Sequence, residues 1–216
     1  MRQISNNLAS AFLQVAGLKG LQQRTKELVP KSEVSLAHEG EVGMHTATRR
    51  HFPISAGLLF GLGLGGFFDG IILHQVLRWH HMLSSWYPLN SIQSYELNTL
   101  WDGIFHSFTY LFVVGGLYVL WQTAQRRHLF WSSKLLVGTI LIGFGAFNVV
   151  EGIVNHHVLG IHHVNEVVSP ASRFYFDAGF IIWGALMLIS GWILLGHGRR
   201  ETETYAAGHR APKAAR

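Results

Sequence analysis

The chain has 216 residues, of which 49% are hydrophobic and only 13% charged, about half the charged share of a soluble domain. So few charges point to the membrane, and the formal net charge of +5 does not point to nucleic acid, because the basic residues fall between apolar runs and not in a binding motif. There is no cysteine, which removes disulfides and thiolate ligands and leaves the 14 histidines, with carboxylates, as the metal-capable side chains.

Residues 1–52 are polar and mixed, with one short amphipathic stretch at 8–18. No compact apolar run followed by a small-residue cleavage site is present, so the segment reads as a flexible cytoplasmic arm and not as a cleavable signal peptide. Four apolar segments follow, at about 53–77, 100–121, 135–159 and 174–195. Each is long enough for roughly 30 Å of hydrocarbon, which takes about 20 helical residues. Residues 196–216 read as a disordered cytoplasmic tail.

The 17 Lys and Arg residues set an expected orientation. Most lie before the first span, between the second and third, and after the fourth. Only Arg78 and Arg173 lie in the other two connections. Lys and Arg accumulate on the cytoplasmic side. Both termini are therefore expected in the cytoplasm of a cell with an inner membrane, with the loops around 78–99 and 160–173 facing outward. Trp79, Trp86, Tyr87, Trp101 and Trp131 fall where an aromatic belt is expected.

The first and third spans are related by an offset of 82 residues. "FDGIILHQVLRWHH" (68–81) and "VEGIVNHHVLGIHH" (150–163) agree at half of their positions, with Asp69 matched by Glu151. The second and fourth spans align more weakly, Asp102 on Asp177 and Gly116 on Gly191. Two spans separate the copies, so the copies point the same way. The expected fold is all-α: an integral membrane four-helix bundle made of two parallel repeats of a helix pair, with a pseudo-two-fold axis along the membrane normal. Gly57, Gly61 and Gly65 stand four apart, a spacing that lets helix backbones approach closely in lipid.

Each span carries one acid, Asp69, Asp102, Glu151 or Asp177, and none carries Lys or Arg. A charged side chain at the bilayer centre costs at least ~2.5–3.5 kcal/mol, so these groups must face the interior and be protonated, paired or neutralised by a cation. Imidazoles and carboxylates from facing helices are how bundles build metal sites. The expected metal ligands are Asp69, His74, Asp102, His106, Glu151, His156 and Asp177. Ile181 stands where His106 stands in the other copy, so an asymmetric site is expected. His80, His81, His162 and His163 are read as entry groups at the mouth or as interfacial histidines, and Asn155, Asn148 and His157 as outer supports. Met82 adds a soft ligand for copper. One conflict stands out: Asp69 and His74 are five apart, ~140° around an α-helix, so they share a face only if one reaches to a neighbouring helix or the winding relaxes near Gly70.

The stretches "FDGIILHQ", "LWDGIFH" and "NVVEGIVNHHVLGIHHV" resemble a family of bacterial four-helix membrane proteins catalogued as a domain of unknown function. The resemblance covers about 51–195, implies the membrane fold and implies no activity.

The leading functional expectation is a membrane protein with a transition-metal site (Zn, Fe, Mn or Cu) in the outer half of the bundle, for metal handling or delivery. Its expected partners are the lipid bilayer and a periplasmic metal donor or acceptor protein, with no nucleic acid. The alternatives are a membrane metalloenzyme (a zinc hydrolase, or di-iron and oxidase-like), a proton relay using the same residues without metal, and electron transfer through bis-histidine haem. The four acids disfavour haem, which has no need of them.

Overall fold

The computed structural model describes residues 53–125 and 132–208. The expected arm at 1–52, Trp131 and the last eight residues of the expected tail lie outside the described residues. The described residues form helices and connections, with no strand among them. In chain order these are α1 (Ile54–Phe67), a π-helical continuation π1 (Phe68–Val76), α2 (Ile92–Ala124), α3 (Ser133–Glu151), its continuation π2 (Gly152–Val158), and α4 (Pro170–Gly208). Four stretches are long and apolar enough to cross a membrane: Ile54–Val76, Ile92–Ala124, Ser133–Val158 and Pro170–Ala207.

Two boundaries differ from the hydropathy reading. Helix α2 starts eight residues before the expected span, where the Ser91 side chain accepts from the Ser94 N–H and caps the first turn. Its 33 residues extend ~50 Å, more than a hydrocarbon layer of roughly 30 Å requires. Helix α4 begins at Pro170, which has no N–H to lose in a first turn, and continues to Gly208. Residues 196–208 are therefore helix, not disordered tail. Glu201 holds this end to the start of α3, accepting from Ser132 Oγ at 3.1 Å and pairing with Lys134 Nζ at 3.6 Å. Hydropathy marks where a helix can meet lipid; it does not mark where the helix stops.

Helices α1 and α3 pack against each other at the centre. Helix α2 packs on α1, and α4 on α3. The central crossing is made by glycine on glycine. A β-carbon on Gly61 would lie 2.7 Å from Gly143 Cα, and one on Gly143 would lie 2.9 Å from Gly61 Cα. The flanking pairs trade bulk in opposite directions. On one side Gly66 of α1 receives Thr109 of α2; on the other Asn148 of α3 meets Gly184 of α4, where a β-carbon would stand 2.8 Å from Asn148 Cβ. Close backbone approach of this kind supplies the van der Waals contact that holds helices together in lipid. The outward faces of α2 and α4 present Leu111, Leu117, Ile182, Leu186 and Ile189, as lipid contact requires.

Both central helices change winding at their C-terminal ends. Leu77 N–H bonds Ile72 O at 2.8 Å and Leu159 N–H bonds Val154 O at 2.8 Å, each reaching back five residues. The chain then leaves each helix through a residue in the left-handed region, Arg78 (φ 52°) and Gly160 (φ 58°). Glycine takes this conformation without penalty, whereas Arg78 adopts it against the preference of a side chain. Each connection turns back over the bundle, and the two are tied together by Ser85 N–H to Ile161 O at 3.0 Å and Glu166 N–H to Trp79 O at 2.9 Å. Trp79 also packs edge-on against Phe176 of α4.

Candidate metal centre

The π-helical winding resolves the spacing conflict within each central helix. An i→i+5 turn brings the fifth residue back beneath the first, so Asp69 and His74 meet on one face, with His74 Nε2 3.1 Å from Asp69 Oδ2. Glu151 and His156 meet the same way, with Nε2 3.1 Å from Oε1. All four side chains are buried.

The flanking helices orient these imidazoles. Asp102 of α2 accepts from His74 Nδ1 at 2.9 Å and from His81 Nδ1 at 2.6 Å, and also from the Met82 N–H at 2.8 Å. Asp177 of α4 accepts from His163 Nδ1 at 2.7 Å and from the Val164 N–H at 2.8 Å. Its other imidazole, His156, is held more loosely, with Nδ1 3.5 Å from Oδ1. Residues 82 apart thus make corresponding contacts with Asp102 and Asp177.

The folded-back connections place two more histidines between the halves. The rings of His80 and His162 stack at 4.5 Å, tilted by only 11°. His80 Nδ1 donates to Val164 O at 2.8 Å, and His162 Nδ1 donates to Met82 O at 3.0 Å, so each ring is held by the other connection. A carbonyl only accepts, which puts a proton on Nδ1 of each ring; neutral His80 then keeps its lone pair on Nε2. His162 Nε2 lies 2.8 Å from Glu151 Oε1, and His80 Nε2 lies 3.6 Å from Asp69 Oδ1. Burial is the largest influence on His80 and, with neighbouring imidazoles, holds it down to about 4, neutral at pH 7. Burial pulls His162 the same way, but the hydrogen bond and charge of Glu151 outweigh it and raise its pKa above the ordinary value.

Two trios emerge. Ligand atoms of His74, His80 and His162 lie within 4.8 Å of one another, and so do those of Glu151, His156 and His162. Asp69 Oδ1, His74 Nε2, His80 Nε2, Glu151 Oε2 and His156 Nε2 are buried without a hydrogen-bond partner. Buried polar atoms are rarely left so, and a cluster of them calls for an occupant. Imidazoles whose far nitrogen is held by a carboxylate or carbonyl are the arrangement that metal-binding histidines adopt. With neutral nitrogen and carboxylate oxygen and no sulfur, the set suits Zn, Fe, Mn or Cu(II).

A family model described as a predicted membrane protein, DUF2243, matches residues 56–198. The chain belongs to this family. The matched stretch contains both π segments, the connection that follows each and every residue of the cluster. No curated protein and no solved structure matches the chain.

The structure redistributes the sequence-derived site residues. Asp69, His74, Glu151 and His156 form the inner layer. Asp102 and Asp177 stand one layer out, their oxygens taken by imidazole and backbone N–H groups, so they act as anchors. His80 and His162, assigned by sequence to the mouth, lie in the middle. His81 and His163 bond the anchoring aspartates from outside, and His163 keeps 30% of its side chain exposed. Asn155 donates to Glu151 Oε1 at 3.3 Å. His157 is exposed and turns away, with Nδ1 on Gly152 O at 2.9 Å. His106 also leaves the cluster: its Nδ1 donates to Asp102 O at 2.8 Å, and its Nε2 is pressed against Gly70, 2.5 Å from where a β-carbon would be. Sharing a helix face with Asp102 was not enough, because the Asp102 side chain is directed to His74 and His81. His106→Ala is accordingly expected to change zinc affinity by less than about threefold, well short of the 10–100-fold typical of losing an anchoring group, as read by competition with a chromophoric chelator.

Sequence reasoning did not find the carbonyls of Met82 and Val164, which fix two imidazoles. Their only signal is that they follow the two "HH" pairs at the same offset.

Proposed function

We propose that the protein is an integral membrane metal-binding protein that takes up a divalent transition metal from the outer face and holds it among Asp69, His74, His80, Glu151, His156 and His162. One observation carries this reading: two carboxylate oxygens and three imidazole nitrogens are buried without hydrogen-bond partners, and the other nitrogens of His74 and His80 are anchored. In this reading His81, His163 and their aspartates form the approach from the outer surface, and metal handling or delivery to a periplasmic partner is the role. The corresponding contacts at an offset of 82 residues support two parallel repeats about an axis passing near Gly61 and Gly143.

A second reading, a metalloenzyme, is favoured by the size of each trio. Three protein ligands would leave a fourth position for water or substrate, where zinc would supply Lewis acidity for hydrolysis and paired iron would supply oxidation chemistry. Turnover of an ester or amide, or oxygen consumption, by the metal-loaded protein distinguishes it from a carrier.

Elemental analysis of protein purified in detergent from metal-supplemented cells tests the common core. Stoichiometric Zn, Fe, Mn or Cu is expected, and content at background in a folded preparation sinks it. The orientation, with outer loops periplasmic in an inner membrane and both termini cytoplasmic, is testable because the chain has no cysteine. Asn90→Cys is expected to react with a membrane-impermeant maleimide from the periplasmic side; labelling only after lysis reverses the topology.

A further inference from the structure

We infer that the centre holds two divalent cations, one in each half, with Asp69, His74 and His80 on the first and Glu151, His156 and His162 on the second. This rests on the metal-binding reading and goes beyond it in number and arrangement.

The first argument is the duplication of ligands. Asp69 lies 3.1 Å from His74 Nε2 and 3.6 Å from His80 Nε2, and Glu151 lies 3.1 Å from His156 Nε2 and 2.8 Å from His162 Nε2. Each half thus offers one carboxylate and two imidazole nitrogens. Two nitrogens on one zinc at ~2.0–2.1 Å stand at most ~4.2 Å apart, so groups within these spacings reach a common ion with small shifts. His162 belongs to both of the close trios, so the two halves adjoin at the stacked His80 and His162 rings.

Charge supplies the second argument. Asp69, Asp102, Glu151 and Asp177 are all buried, and no Lys or Arg among the described residues pairs with them. Glu166 and Arg173, at the rim, have opposite signs, with Arg173 donating to Glu166 O at 3.3 Å. Four carboxylates with neutral imidazoles carry four negative charges, and two divalent cations cancel them. One cation leaves two negative charges. Uncompensated charge in hydrocarbon is the costliest outcome, so the doubly occupied state is the neutral one.

The test uses the full chain in detergent, stripped with a chelator, reloaded with zinc chloride alone and freed of excess. Zinc per chain is then counted by mass spectrometry against amino-acid analysis. Two per chain is expected for the wild type. One per chain is expected for Asp69→Asn/His74→Ala and one for Glu151→Gln/His156→Ala, each checked for a monodisperse, helical preparation. Zinc is expected to vanish when His74→Ala and His156→Ala are combined. One zinc per wild-type chain overturns the inference and leaves a single-metal centre standing. A folded half-variant that loses all zinc overturns the two-half assignment. Two zinc ions that survive in the combined variant belong to surface histidines and overturn it as well. No zinc in the wild type removes the metal-binding reading itself. The wild-type count needs no substitution, so a variant that fails to fold does not spare the proposal.

Discussion

Combining His74→Ala with His156→Ala is expected to weaken zinc binding by more than about a hundredfold while all four spans still insert. Loss of an outer support typically costs 10–100-fold in metal affinity, and here one inner imidazole is lost from each half. Each of these rings also joins two helices. His74 links Asp69 of the first central helix to Asp102 of α2, and His156 links Glu151 to Asp177 of α4. Truncation leaves each acid with one imidazole fewer, Asp69 with His80 and Glu151 with His162. Chelator competition checks the affinity, and circular dichroism with gel filtration in detergent checks the fold. Unchanged zinc affinity in a folded double variant would mean that the metal, if bound, sits elsewhere.

Gly143→Leu is expected to be worse for the fold than any substitution in the cluster. Ordinary overpacking costs about 1–3 kcal/mol because side chains shift to accommodate it. At Gly143 the obstructing atoms are backbone: a β-carbon would lie 2.9 Å from both Gly61 Cα and Leu62 N and would also press on Leu58 O. Only separation of α1 from α3 can relieve this, and separation pulls Asp69 from Glu151 and unstacks His80 from His162. Loss of the monodisperse species in detergent and loss of zinc should therefore appear together. Gly103→Leu is the control, since nothing lies within 4 Å of a β-carbon there. If Gly143→Leu purifies and binds zinc as the wild type does, the close α1–α3 crossing is not the packing that holds the centre.

Much of this architecture was legible in the chain. Four long apolar runs with scarce charge specify four membrane helices, since lipid offers backbone groups no other partner. One acid in each of the four apolar runs expected as spans, with no basic residue in any of those runs, specified an inward-facing polar cluster, because a lone charge in hydrocarbon is too costly to leave facing lipid. The five-residue spacing of Asp69 from His74 appeared as a conflict under α-helical geometry, and the structure answers it with a π turn. Periodicity cannot foresee that, since no residue type marks the change of winding; the nearest sign was Gly70. His106 shows the opposite case. Its spacing from Asp102 fitted one face, yet its nearer nitrogen bonds the backbone and its farther one meets Gly70.

The amino-acid sequence alone decided the membrane class, the chemical type of the cluster and the matching of positions 82 apart, because hydropathy, charge and repeated motifs are local properties of the chain. Only the tertiary structure decided which histidines stand at the centre. His80 and His162 lie beyond the helix ends and reach the middle because a left-handed residue at Arg78 or Gly160 turns each connection back over the bundle. There the carbonyls of Val164 and Met82, on the opposite connection, hold the rings. Contacts between segments 80 or more residues apart depend on how the helices cross, and helix crossing is set by packing across the whole bundle, not by any single stretch of sequence.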